Sequence, residues 1–478
     1  MDGSIQSDRN ADYKLKAAGM GDEEKHADKK ARADVDIISN MPESIISKIL
    51  SLLPTKDVLR TSVLSKDWEY KWTGIYNIDI NDMDRILLKS TRKTSVANCV
   101  DRIFILSRNS SLTRFCLSFR HKYDTRRMIT WISAALMRNV QELDIIYNHE
   151  GVVVPRCLFD CTRLTTLKLQ LPCVFRPVQD WSSNLKVLNL AQVEIVNEHA
   201  PCTRRLVFRF LVLETFGLDR CKWVNVDFVE IHAPSLTKLY VEKHSDPQPD
   251  SFRIKICRAK LERFDFRGSF LERFDLSSSS LLCASIDFLG FALDLEATRK
   301  NGLNARLLLK ECSGLTHILL SGSMLQAIIL SKQGPSLPKF NTVKQLDIFT
   351  RGSSELLLEF LRSTPSLERI RLNMGLWEDY DYGLVEYIPP CIVSRLNDVH
   401  FNGFKGEQPQ VRLAEFLLKN AQGLKKMSGL LRKKSQEQHA EMDFWTSLKR
   451  VFGDGGFAVS SSRRTVTTVA DFERCFGI

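Results

Sequence analysis

The sequence lacks the features that mark several large classes of protein. No apolar run approaches the ~20 residues that a membrane-spanning helix needs, and the polar start at Met1–Ser4 predicts no signal peptide. The 12 cysteines stand at irregular spacings, which indicates reduced thiols that mostly fill cores. We therefore expect neither a membrane protein nor a secreted scaffold held by disulfides.

Motifs that carry chemistry are also scarce. The nine histidines form no H-x-x-x-H pair, and Cys157 and Cys161 have no second pair at the spacing of a zinc site. The glycines of 452–457 do not join a strand to a helix, so they do not indicate a phosphate-binding loop. No G-x-S-x-G motif or recognisable cysteine nucleophile is present. We expect no catalytic residue, no metal and no cofactor.

Charge is abundant but dispersed. The net charge is +11, yet residues 1–34 hold 8 acidic and 7 basic side chains and contribute −1. The remaining +12 is spread over more than 440 residues, which is typical of a solvated surface and does not favour nucleic-acid binding. With 15 charged residues and one aromatic, 1–34 is predicted to be a disordered tail. Its Lys29, Lys30 and Arg32 could serve nuclear import, but a solubilising role is favoured.

A change to apolar periodicity at Asp36 predicts three short helices. Asn40 and Pro42 indicate the start of the first helix, and Thr55 and Ser65 can cap the second and third. The first helix has apolar residues at spacings of three and four, namely Ile45, Ile49, Leu52 and Leu53, flanked by Ile46 and Leu50. The second places Val58, Leu59, Ser62 and Val63 inward, and the third carries Trp68 and Trp72. So small a module cannot hide this much apolar surface, which predicts a partner.

These residues resemble a known family. Met41-Pro42, IISKILSLLPTKD at 45–57 and SVLSKDWEYKW at 62–72 are similar to an F-box. The resemblance implies a module, over 35–82, that docks on the adaptor subunit of an SCF-type ubiquitin ligase and through it on a cullin. Carried over by position, the adaptor-facing residues are Met41, Pro42, Ile49, Leu50, Leu53, Pro54, Leu64, Ser65, Trp68 and Trp72.

Two departures from the F-box pattern bear on affinity. Met41 replaces the usual leucine, a volume-conserving change expected to cost less than about 1.5 kcal/mol. Asp67 and Glu69 stand where the family often carries basic residues, and 36–82 has a net charge of −2. If the adaptor surface is acidic, these carboxylates would weaken the rim of the interface.

The middle of the chain repeats one phrase: leucine, two residues, apolar, one residue, apolar. The first residues of the apolar pairs are Phe115, Leu143, Leu167, Leu188, Phe216, Leu239, Phe264, Ile286, Ile318, Leu346, Ile370 and Val399. Their spacing averages about 26 residues, within the 20–29 of leucine-rich repeats. Alternation predicts a short inward-facing strand in each repeat, and stacking predicts a parallel sheet on a concave face over 100–390. An ordinary α/β domain with parallel strands is the alternative.

The residues between the paired apolar positions are predicted to face the concavity. The candidates for target binding are Lys168, Asn189, Asp265, Asp287, Asp347 and Arg371, with Tyr240 and His400 beside them. Their mixed charge suits a polypeptide better than a phosphate backbone. The family's consensus asparagine is mostly missing, and Cys221 and Cys312 can replace it. LERFDL at 271–276 follows LERFDF by only ten residues, so one of them is expected to be an insertion or a local hairpin.

The C-terminal region reads as a strand, a Gly-rich turn and a helix over 391–430. F-x-G-x-x-x-E followed by FLLKNAQGLKKM resembles the FBD module that closes many plant-type F-box/leucine-rich-repeat proteins. A repeat array needs an end cap, and this unit could supply it. Residues 431–478 form an extension without an assigned role, in which 466–476 could be one more strand or helix.

The predicted fold class is α/β: a three-helix F-box, a leucine-rich-repeat solenoid and a C-terminal FBD strand–helix cap. The predicted function is a non-catalytic substrate-recognition subunit of an SCF-type ubiquitin ligase, located in the cytoplasm, the nucleus or both. Two alternatives stay open. One is a repeat scaffold outside any ligase, and the other is a basic-pocket receptor for nucleic acid or inositol phosphate.

Overall fold

The computed structural model describes the chain in segments that fall into two compact units. The described residues are 38, 41–83, 93–107, 111–178, 181–198, 204–243, 252–269, 271–276, 280–289, 295–312, 314–331, 337–349, 352–374, 377–404, 407–431 and 457–460. The first unit comprises 1–80 and 84–112, and the second comprises 81–83 and 113–478. The predicted tail at 1–34 and the segment 466–476 lie outside the described residues.

The first unit begins with two short α-helices, α1 (Glu43–Ser51) and α2 (Thr55–Arg60). The predicted third helix is instead a series of 3₁₀ turns, at Thr61–Val63, Lys66–Trp68 and Lys71–Gly74. Strand β1 (Asn77–Asn81) and helix α3 (Lys93–Leu106) follow. Because α3 belongs to this unit, the repeat array begins at the next strand rather than at residue 100.

The predicted Thr55 cap of the second helix is wrong, and Asn40, the predicted start of the first helix, lies outside the described residues. Pro42 and Pro54 hold the N-cap positions of α1 and α2, and the Thr55 side chain makes no cap hydrogen bond. The buried Thr55 hydroxyl accepts a hydrogen bond from the Asp79 amide at 2.7 Å instead. It thereby ties α2 to β1.

The second unit is organised around one long parallel sheet, the main sheet. Its strands, in pairing order, are β2 (Arg114–Phe119), β3 (Glu142–Tyr147), β5 (Thr166–Phe175), β7 (Val187–Val196), β9 (Thr215–Asp219), β12 (Lys238–Lys243), β14 (Arg263–Gly268), β16 (Cys283–Phe288), β17 (His317–Ser321), β18 (Gln345–Phe349), β20 (Arg369–Asn373), β22 (Asp398–Phe404), β23 (Lys426–Leu431) and β24 (Phe457–Ser460). Two shorter strands, β4 (Val152–Val153) and β10 (Lys222–Val224), pair with β5 and β7.

The register of the main sheet confirms the predicted repeat. Eleven of the twelve predicted positions align across successive strands, from Phe115 to Val399, and each is at most 2% exposed. The exception is Ile286, because the aligned residue in β16 is Ala284. Because alanine is small and weakly apolar, the sequence pattern favoured the Ile286–Phe288 pair, and the predicted position lies two residues after the true one.

A second parallel sheet backs the middle repeats. Its strands are β6 (Trp181–Ser182), β8 (Arg205–Arg209), β11 (Phe228–His232), β13 (Arg253–Cys257) and β15 (Arg273–Leu276). Aromatic contacts join the two sheets, as where Phe264 and Phe274 lie 5.2 Å apart. LERFDL at 271–276 therefore forms β15, a second-sheet strand parallel to β13, and the predicted insertion or hairpin is wrong.

Helices accompany the strands elsewhere in this unit. They are α4 (Thr125–Met137), α5 (Leu295–Lys310), α6 (Gly322–Leu330), α7 (Ser354–Leu361), α8 (Pro390–Ser394) and α9 (Gln408–Asn420). A two-stranded sheet joins β19 (Gly352–Ser353) to β21 (Trp377–Glu378). No helix within the described ranges is long and apolar enough to cross a membrane.

Neighbouring repeats are joined by threonine side chains that precede the strands and by one cysteine at the position of a consensus asparagine. The Thr165 and Thr237 hydroxyls each donate to a carbonyl of the preceding repeat at 3.1 Å. Cys221 Sγ donates to the Leu190 carbonyl at 3.2 Å, as the predicted replacement requires. Cys312 does not, because it stands two residues beyond the end of α5 and its thiol donates to the carbonyl of Leu308 in the last turn of that helix.

The C-terminal strand–turn–helix is present as β22 and α9. Its apolar residues Val399, Phe401, Leu413 and Leu417 are fully buried. Strand β22 is nevertheless an inner strand of the main sheet, because β23 and β24 pair beyond it. The predicted cap is thus itself one more repeat.

Candidate interaction surfaces

The first unit presents a continuous set of exposed apolar side chains. On α1, Ile46 and Leu50 are buried at 1–2% exposure, whereas the residues one position away point outward. The exposed residues are Ile45, Ile49, Leu52, Leu53, Val63 and Leu64, at 41–84% exposure; we call this set the apolar face. An exposed apolar patch on a small module marks a surface that another chain covers.

The structure divides the ten predicted adaptor-facing residues into exposed, half-buried and buried groups. Ile49, Leu53 and Leu64 belong to the apolar face, and Pro42, Pro54 and Ser65 are also exposed. Met41 is half-buried. Leu50, Trp68 and Trp72 are only 2–7% exposed, so the expectation that they offer free surface is corrected.

The tryptophans are buried because the third element is built of 3₁₀ turns. The Lys71–Gly74 turn packs on α1, and Trp72 Nε1 donates to the Glu69 carbonyl at 3.0 Å. Both indoles are thus core side chains of the module and support the residues of the apolar face.

Sequence reasoning missed part of this surface. The predicted adaptor-facing set omits Ile45 and Leu52, and the prediction places Val63, which is 84% exposed, on the inner side of the second helix. Their signal was an apolar stripe too wide for one contact, which did not show which half faces inward. The departures Asp67 and Glu69 are exposed beside this surface.

The second unit carries a groove over one face of the main sheet, with a volume of about 1110 Å³. The predicted residues Lys168, Asn189 and Asp265 line it. Register places them in one row, together with Tyr240, Asp347 and Arg371, at the position between the paired apolar residues. We call this side the groove face.

Charges along the groove are compensated. Five acidic and four basic side chains line it. Arg263 Nε donates to Asp265 Oδ2 at 2.7 Å, and Arg267 lies 3.4 Å from Asp287 and 3.9 Å from Glu242. This balance does not support the basic-pocket alternative, which requires a surplus of cations.

Two predicted groove residues are deeper than expected. Asp287 lies one register step beyond the predicted row, opposite Arg267, and is 5% exposed. Burial raises the pKa of its carboxyl to about 6. Asp347 is 2% exposed and accepts hydrogen bonds from the Gln345 amide and from His317 Nε2, at 2.8 Å from the latter. Both carboxylates lie on the groove face, and neither lines the groove itself.

The groove face also contains residues that the repeat phrase did not indicate. Arg263, Arg267 and His317 flank the predicted row at the steps before and after it. Tyr240 donates a hydrogen bond to Glu242, which holds both against the sheet. The strand alternation could have found these residues, since they share the parity of the predicted row.

Comparison with known proteins agrees with this arrangement. The F-box domain model matches residues 38–77 and the FBD model matches residues 385–428. An F-box/FBD/LRR-repeat protein of Arabidopsis thaliana is 26% identical over 411 residues, which cover 82% of this chain and 91% of the relative. F-box/LRR-repeat protein 13 of the same plant is 25% identical over 422 residues, 85% and 92% of the two chains. Another Arabidopsis F-box/LRR-repeat protein is 29% identical over 346 residues, 70% and 72% of the two chains.

Proposed function

We propose that this chain, which matches the F-box and FBD models and resembles Arabidopsis F-box/FBD/LRR-repeat proteins, is a substrate-recognition subunit of an SCF-type ubiquitin ligase. F-box/LRR proteins are generally substrate receptors of such ligases. The apolar face of the first unit is the observation that carries the proposal. The chain itself is non-catalytic in this account and needs no cofactor.

The apolar face suits an adaptor interface on physical grounds. Its six side chains come from α1, the turn after it and the Thr61–Val63 turn, so one partner surface can cover them together. Burying a Leu or Ile side chain contributes about 1.5–3 kcal/mol, which a few such residues turn into stable association. The buried indoles keep this surface in shape.

Binding of the full-length chain to purified adaptor tests this step. Leu64→Asp, at a position 67% exposed, should weaken adaptor binding at least about tenfold without loss of helical content. Leu211→Asp is the matched control, since Leu211 is 65% exposed in the second unit. Equal affinity of wild type and Leu64→Asp, or no binding by wild type, would contradict the proposal and favour a scaffold outside the ligase.

Substitution of the tryptophans is a poorer test. Trp68→Ala and Trp72→Ala remove core side chains and are expected to cost about 3–5 kcal/mol each, which can unfold the module. Lost binding would then report unfolding rather than a lost contact.

The groove face is the proposed site for the target, a polypeptide. Alternating charges and a tyrosine recognise polar and charged side chains of a protein better than a uniform anion. Holding the target near ubiquitin carried by other subunits raises its effective concentration, which is the chain's contribution to the reaction. We place this work in the cytoplasm, the nucleus or both.

Affinity enrichment with degradation blocked tests the groove. A target should be retained by wild type and by Lys222→Glu, an exposed lysine on β10, and lost with Lys168→Glu in the groove. Retention of the target by wild type and by both variants would argue against target binding at the groove face.

A further inference from the structure

Three side chains with metal-binding chemistry meet on the second sheet, away from the groove face. They are Glu230 and His232 of β11 and Cys257 of β13. All three are half-buried, and their ligand atoms lie within 4.8 Å of one another. Spacing along the chain does not reveal this cluster, because Cys257 stands 25 residues beyond His232.

Strand register brings the three together. His232 and Cys257 are direct partners in the parallel pairing of β11 with β13. Glu230 precedes His232 by two residues, so both side chains project from the same face of the strand. The burial pattern agrees with this placement, since the alternate residues Val229, Ile231 and Ile256 face the core and are at most 1% exposed.

The distances match a shared ion. Glu230 Oε1 lies 3.2 Å from His232 Nε2 and 3.4 Å from Cys257 Sγ. Bond lengths of 2.0–2.3 Å at tetrahedral angles place oxygen about 3.3 Å from nitrogen and about 3.5 Å from sulfur around zinc. One carboxylate oxygen, one imidazole and one thiol are also ligand types that zinc accepts.

The surrounding charges set limits on this site. Arg205 pairs with the other carboxylate oxygen, Oε2, and so leaves Oε1 facing the histidine and the thiol. Lys255, on β13, and Asp275, on β15, are register partners close to Cys257. Burial and the Glu230 carboxylate raise the pKa of the Cys257 thiol, so the thiol keeps its proton until a cation replaces it.

We propose that Glu230, His232 and Cys257 bind a thiophilic divalent cation of the Zn²⁺ class, with the fourth coordination position open to water. The cation displaces the thiol proton and takes over the contacts that now join the carboxylate to its two neighbours. It thereby clamps β11 to β13 in the second sheet. Arg205 orients the carboxylate from its outer oxygen, as outer partners of metal ligands commonly do.

Cobalt binding to the untagged full-length chain tests the proposal, with Co²⁺ as a spectroscopic substitute for zinc. Wild type should show a thiolate-to-cobalt charge-transfer band that Zn²⁺ abolishes. Cys257→Ser should lose the band, and His232→Ala should weaken binding about tenfold or more. Cys161→Ser is the matched control, since Cys161 is also half-buried and lies outside the cluster. A band that persists in Cys257→Ser, or no band in wild type, would overturn the proposal.

Alkylation kinetics locate the ion at the residue itself. Cys257 should react with iodoacetamide about tenfold more slowly when Zn²⁺ is present than when Mg²⁺ is present, because a metal-bound thiolate is a poor nucleophile. Cys161 should react at the same rate in both. Equal rates at Cys257 would show that the three side chains only hydrogen-bond to one another. Neither readout involves the adaptor, so failure here leaves the proposed function untouched.

Discussion

Asp287 is the residue at which burial and charge oppose each other most plainly. Its carboxyl keeps a partner in Arg267 at 3.4 Å, yet burial dominates and raises its pKa from 3.8 to about 6. Between about pH 4 and 6 the folded chain therefore holds a proton that the unfolded chain has released. Stability contributed by the protonated form is present below this range and declines as pH rises through it.

Asp287→Asn should remove this dependence. The variant should be more stable than wild type by about 1–3 kcal/mol at pH 8 and nearly equal to it at pH 4, because the neutral amide has no ionisation to lose. Denaturant unfolding at the two pH values measures the difference. Asp160→Asn, an exposed substitution, should change stability by less than about 0.5 kcal/mol. A variant that is less stable than wild type at pH 8 would show that the Arg267 pair outweighs burial.

Single residues also mark the limit of prediction from sequence. The apolar stripe of α1 was visible, but Ile46 and Leu50 face inward and Ile45 and Ile49 outward. Spacings of three and four fit both choices on a helix that is apolar nearly all round. The 3₁₀ turns that follow α1 and α2 decide which half of α1 is buried, and the apolar spacing does not predict those turns.

The close packing of α5 against α6 depends on the absence of a side chain at Gly302. A Cβ at Gly302 would stand 1.9 Å from the Ala327 carbonyl oxygen, so neither helix can keep its place if Gly302 gains a side chain.

Gly302→Ala should therefore destabilise the second unit by about 1–3 kcal/mol despite the higher helix propensity of alanine. Thermal unfolding measures the effect. Leu303→Ala, at a neighbouring position that is 36% exposed, is the control and should cost less. A Gly302→Ala variant as stable as wild type would mean that the helices separate without cost.

At the scale of elements, the main sheet could be predicted because a leucine or valine stands three residues before each aligned inward residue from Phe115 to Val399. The second sheet was missed because β8, β11 and β13 lack a leucine at that spacing, and because β15, which has Leu271, follows LERFDF by only ten residues. Its signal is still present as inward pairs at a similar spacing, namely Leu206–Phe208, Val229–Ile231, Ile254–Ile256 and Phe274–Leu276. Finding the second sheet would have required recognising two repeats of similar spacing along the same stretch of chain, one for each sheet.

In the molecule as a whole, the repeat array depends on its neighbours in sequence. Strand β22 covers the edge of β20, and its Phe401 and Phe404 are fully buried beside α9. Removal of this end would leave an open edge and an apolar surface.

A chain that ends at Pro389 should consequently aggregate or melt at a lower temperature than the full chain. A chain that ends after Ser460 keeps β22 to β24 and should behave as the full chain does. Size-exclusion chromatography with thermal circular dichroism distinguishes them. A monodisperse short chain with an unchanged melting temperature would show that the array closes before β22.

The division of labour between the two units is tested most directly by hydrogen–deuterium exchange of the full-length chain with and without the adaptor. The account predicts slower exchange in the peptides of 43–72, which carry the apolar face, and unchanged exchange along the groove strands from β5 to β16. Unchanged exchange over 43–72 at saturating adaptor, or protection confined to the groove strands, would contradict it.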